Sequence, residues 1–70
     1  MALFTWGQTV RIRTGAPQHP DDIAEVVGIN DIRTEERAHQ LGAAVGSRVY
    51  LVEFGDGSSI ELAEKWLAPF

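Results

Sequence analysis

Seventy residues, 44% of them apolar and none of them cysteine, with a formal net charge of −4, describe one small folded domain. A chain of this length buries only about 60% of the surface it exposes when unfolded, so its core is marginal, and without cysteine neither a disulfide nor a thiolate metal site reinforces it. The acidity also counts against a nucleic-acid backbone as the main partner.

The opening Met1-Ala2-Leu3-Phe4 is too short and too uncharged for a secretory leader, and no run approaches a membrane span. A soluble, cytoplasmic protein is the expectation. The histidines, His19 and His39, lack ligand-like spacing, so neither a metal nor a cofactor is expected.

Gln8 to Arg13 alternates, with Val10 and Ile12 on one side and Arg11 and Arg13 on the other, which predicts a half-buried strand. Thr14-Gly15-Ala16-Pro17 ends it, and Gln18 to Asp22 continues as loop. Ile23 to Ile29 is β-branched and reads as a second strand, with Gly28 suited to a bend or bulge and Asn30-Asp31 closing it.

Residues 32–46 carry two readings. In one, Thr34 caps a short helix, Glu35 and Glu36 fill its first turn and Gly42 ends it; in the other, the stretch is a long hairpin loop. The short helix is preferred. Arg48 to Phe54 is the strongest strand pattern, and Gly55-Asp56-Gly57 turns it back into Ser58 to Leu62. Ala63 to Leu67 reads as a single helical turn before a last extended piece, Ala68-Pro69-Phe70.

Short strands separated by turn residues predict an all-β fold of about five antiparallel strands, a small barrel or sandwich forming one domain over residues 1–70, with a closed barrel removing exposed edges. Residues 49–52 and Phe54 are all apolar, which suggests either bent strands that serve both halves of a barrel or an interface between copies.

The order of elements resembles the SH3-like barrels of bacterial proteins. The likeness rests on Phe4-x-x-Gly7-x-x-Val10-x-Ile12, on Val26-Val27-Gly28-Ile29, on Tyr50-x-Val52-x-Phe54-x-Asp56-Gly57 and on Leu62-x-Glu64-x-x-Leu67. Proteins of this type include KOW-type domains, the C-terminal barrel of nitrile hydratase β subunits, type II dihydrofolate reductases and small immunity proteins that neutralise toxins. The resemblance implies the fold and a helical turn before the last strand. The reductases carry a Val-Gln-Ile-Tyr run where this chain has Ser59-Ile60-Glu61-Leu62, so the resemblance does not extend to their activity.

No catalytic constellation is apparent. Ser58 and Ser59 follow a turn with no histidine near in sequence, and the adjacent pairs Asp21-Asp22 and Glu35-Glu36 do not in themselves flank a substrate. A nucleic-acid face would use Arg11 and Arg13, extended by Arg48, with Trp6 or Tyr50 for stacking.

The favoured reading is non-catalytic binding of another protein, with a basic partner matched to the six acids between Asp21 and Glu36. The predicted partner-binding residues are Trp6, Asp21, Asp22, Asp31, Glu35, Glu36 and Tyr50. An immunity-type role is the specific version. Self-association through Tyr50 and Val52 is the alternative, and weak nucleic-acid binding through Arg11 and Arg13 ranks third.

Overall fold

The computed structural model describes residues 3–70, so Met1 and Ala2 of the opening segment lie outside it. Five antiparallel strands form one sheet: β1 (Thr9–Ile12), β2 (Ile23–Asp31), β3 (Arg48–Glu53), β4 (Ser59–Ala63) and β5 (Leu67–Pro69), in the order β4-β3-β2-β1-β5. A short helix, α1 (Glu35–Leu41), joins β2 to β3, and a 3-10 turn at Glu64–Trp66 joins β4 to β5. No helix is long and apolar enough to cross a membrane among the described residues.

β2 is the longest strand at nine residues, two more than the sequence pattern suggested, because Asn30 and Asp31 pair with Val49 and Arg48. Its register slips between Val26 and Gly28, the bulge anticipated at that glycine. A Cβ at position 28 would stand 3.1 Å from the Cβ of Leu51, so the absent side chain permits the close approach of β3.

Alternation decides what is buried. Val10 and Ile12 of β1, Ala24 and Val26 of β2, Tyr50 and Val52 of β3 and Leu62 of β4 point inward, where they join Phe4, Ala16 and Leu67 in the main core. A second, smaller cluster lies on the other face: Ile32, Ala38 of α1 and Val49 of β3 are buried together. This accounts for Val49 within the apolar run of β3, while Leu51 stays on the exposed side. Val49 faces the helix and Tyr50 and Val52 face the core.

The helix forms where its signals place it. Thr34 Oγ1 accepts a hydrogen bond from the Arg37 amide (3.2 Å), Glu35 and Glu36 lie in the first turn, and Gly42 ends it in the left-handed region at φ 65°. Seven residues make no stable helix alone; Ala38 docks it on the sheet, and Arg37 reaches Glu61 of β4 at 2.7 Å.

Candidate functional site: an acidic groove at the hairpin end of the sheet

The acids expected to form one surface do not share one. Asp21 and Asp22 precede β2 and Asp31 ends it, a separation of about 25–30 Å at roughly 3.3 Å per residue. Asp31 is ion-paired with Arg48 at 3.0 Å, and Glu35 and Glu36 stand in the first turn of α1, where carboxylates favour the helix dipole. Asp31 is thus engaged within the fold, while Glu35 and Glu36 remain exposed.

Tyr50 requires correction as a partner-binding residue. It is 0% exposed, its ring packs edge-on against Phe4 with centroids 5.4 Å apart, and its hydroxyl donates to Glu64 Oε2 at 2.5 Å. The Phe4 amide donates in turn to the Tyr50 oxygen at 3.4 Å. Burial and then the bond to Glu64 push the Tyr50 phenol above its ordinary value. Its place in the chain ties β3 to the 3-10 turn and to the segment before β1. Val52, the companion residue for self-association, is equally buried, since both face the core side of β3.

Trp6 is 70% exposed, as its position before β1 suggested, and Phe70 at the other end is also free of the core. Trp66 is half-buried against the core, and its indole Nε1 has no hydrogen-bond partner among the described residues. The basic face is not continuous. Arg11 stands opposite Ile23 at the start of β2, whereas Arg48 stands opposite Asp31 at its end.

The structure instead assembles a different group. Glu25 of β2 and Glu53 of β3 are direct cross-strand partners, both exposed on the outer face, and neither belongs to an ion pair among the described residues. With Thr9, Ile23 and Phe54 they line a shallow groove of about 420 Å³. Like charges directly opposite on a sheet are destabilising, so the arrangement works against the fold that carries it.

The loops around this groove are held in place. His19 stacks on Phe54 with ring centroids 4.4 Å apart, and its Nδ1 lies 3.0 Å from Asp22 Oδ2. Thr14 Oγ1 donates to Asp21 Oδ1 at 2.6 Å. These contacts secure a loop in which His19 and Asp21 both adopt positive φ (52° and 68°), a conformation that histidine and aspartate tolerate better than most residues. On the β3–β4 turn, the Asp56 carboxylate accepts from the Ser58 hydroxyl and amide at 2.6 and 3.0 Å, which holds its pKa below the ordinary value. Asp56 follows Gly55, which lines the groove.

Sequence reasoning counted Glu25 among the acids of the 21–36 stretch without singling it out, and overlooked Glu53, Phe54 and His19. Alternation around Val26 and Val52 was enough to send Glu25 and Glu53 outward, but their meeting depends on the β2–β3 register, which the bulge shifts. Among the described residues, no group of three or more histidine, aspartate or glutamate side chains is arranged to hold a metal. No protein-family model matches the chain, and neither a curated protein nor a solved structure shows significant similarity to it.

Proposed function

We propose that this chain is a non-catalytic protein-interaction module of the SH3-like barrel type that binds a basic segment of another protein in the Glu25–Glu53 groove. The observation that carries the reading is the facing pair of exposed carboxylates, neither ion-paired among the described residues, set over the apolar surface of Ile23 and Phe54. A lysine or arginine from a partner would relieve their repulsion, and its aliphatic stem would lie along the apolar floor. Asp22 and Asp56, next in the chain to the lining residues Ile23 and Gly55, add to the negative potential that steers a basic partner in.

The barrel type is supported by the strand order, by the long bulged β2 shared between neighbours and by the 3-10 turn before β5. Such a module acting in the cytoplasm suits an immunity role, in which an acidic inhibitor covers a basic toxin. Self-association through Tyr50 and Val52 loses its basis, because both side chains are inside the core.

The test is titration of the labelled protein with an extended peptide alternating lysine and leucine, followed by backbone amide shifts. Saturable shifts at Glu25, Glu53, Phe54 and Asp56 are expected, weakening with salt. The double variant E25K/E53K should bind at least about tenfold more weakly. Equal binding by that variant, or equal binding of a glutamate–leucine peptide, would refute the proposal.

A further inference from the structure

A second concavity shares no lining residue with the acidic groove. It lies where the α1–β3 connection meets the 3-10 turn and the segment before β1, and encloses about 430 Å³. This is the size of a small-ligand site. Its apolar wall is made by Ala44, Ala63 and Leu67, with Leu3 at one side. Ala63 and Leu67 are buried members of the fold, whereas Leu3 is 72% exposed and so presents a free apolar side chain.

Two cations complete the wall, Arg13 and Lys65. Neither takes part in any ion pair among the described residues. Lys65 Nζ instead lies 5.1 Å from the centroid of the Trp66 ring, and the Arg13 backbone is fixed by a 2.8 Å bond from its amide to the Trp66 carbonyl. The one carboxylate present, Glu64, is already engaged by the Tyr50 hydroxyl and the Leu3 amide. Two cations against this one carboxylate leave the lining net positive, in a chain that is acidic as a whole.

The cavity is also formed in advance. The connection that walls it is closed by Ala43 N to Ala38 O (2.9 Å), Gly46 N to Ile32 O (2.8 Å) and Ser47 Oγ to Ala44 O (2.5 Å). A ligand entering it has little backbone to order.

We propose that this cavity binds a small aliphatic carboxylate, its chain against Ala44, Ala63 and Leu67 and its carboxylate held by Arg13 with Lys65 beside it. The combination of small apolar wall residues and unpaired cations selects that chemistry over a neutral or cationic molecule of the same shape.

The experiment titrates the full chain with octanoate below its aggregation range, reading backbone amide shifts. Saturable shifts confined to Ala44, Ser47, Lys65 and Leu67 are expected. R13Q should weaken octanoate by about tenfold while leaving octanol binding unchanged. A44F, at an exposed position outside both cores, should fill the cavity and abolish the shifts with melting temperature unaltered. The proposal is overturned if octanol binds the native chain as well as octanoate, if A44F binds normally, or if the shifts spread without saturating. It is also overturned if a peptide ending in a leucine carboxylate binds more tightly than octanoate, since the occupant would then be a polypeptide terminus.

Discussion

β2 carries acids at both ends, and the two ends of the sheet treat them differently. Near α1, Asp31 is matched by Arg48 and Glu61 by Arg37, beside a small apolar cluster that fixes the helix. Near the β3–β4 turn, Glu25 faces Glu53 and neither is ion-paired among the described residues. The first end uses its charges to hold its own elements together. The second leaves them unneutralised over an apolar floor, on strands that gain nothing from the arrangement, and that contrast points to the hairpin end as the place for a partner.

The largest effect should come from removing the packing at the α1 end. Ile32→Ala empties a buried site beneath the helix and should cost about 2–5 kcal/mol. In hydrogen exchange the α1 amides should lose protection before those of β1 and β2. Retained α1 protection would show that the helix does not depend on this cluster, and would remove the structural role assigned to that end.

Next in size is Tyr50→Phe, which keeps the ring in the core and deletes its bond to Glu64. A loss of about 1.5–3 kcal/mol at neutral pH is expected in denaturant unfolding. The native chain carries a further signature at high pH. The phenol pKa is raised on folding above its ordinary 10.0, so its contribution is complete below that value and declines as pH rises toward the folded one, the unfolded chain losing its proton first. The phenylalanine variant should lack this alkaline decline. An identical decline in both proteins would mean that another group sets it.

The smallest effect is the one that most directly sets the two ends against each other. Glu53→Lys turns a repelling cross-strand pair into an attracting one and should raise stability by about 0.2–1 kcal/mol, while basic-peptide binding falls. Arg37→Gln at the other end breaks an exposed ion pair and should lower stability by no more than about 1 kcal/mol, with peptide binding unchanged. A stability loss on Glu53→Lys would mean that Glu53 serves the fold after all, and the contrast between the ends would collapse.

Much of the architecture was legible in the residues themselves. The Thr34 cap, the Gly42 stop, the bulge at Gly28 and the Asp56-Gly57 turn are local signals, each set by the conformational preference or hydrogen bonding of a few neighbouring residues. The candidate site was less legible. Trp6 is exposed as its position implied, and Asp22 borders the groove, but Tyr50 belongs to the core and Asp31 to an ion pair. A tyrosine within the apolar run 49–52 gives no sign of which face is covered until the helix is known to pack on the opposite side.

The sequence alone determined that the chain is all-β and favoured a short capped helix over a loop in residues 32–46, because periodicity, caps and turns are read over a few residues at a time. It also determined an acidic surface without disulfides. Only the tertiary structure decided which acids stand together: the bulged register sets Glu25 opposite Glu53, the chain fold lays His19 on Phe54, and α1 claims Val49 while Tyr50 turns inward. Those pairings join residues far apart in the chain, and nothing in either partner's local sequence encodes the other.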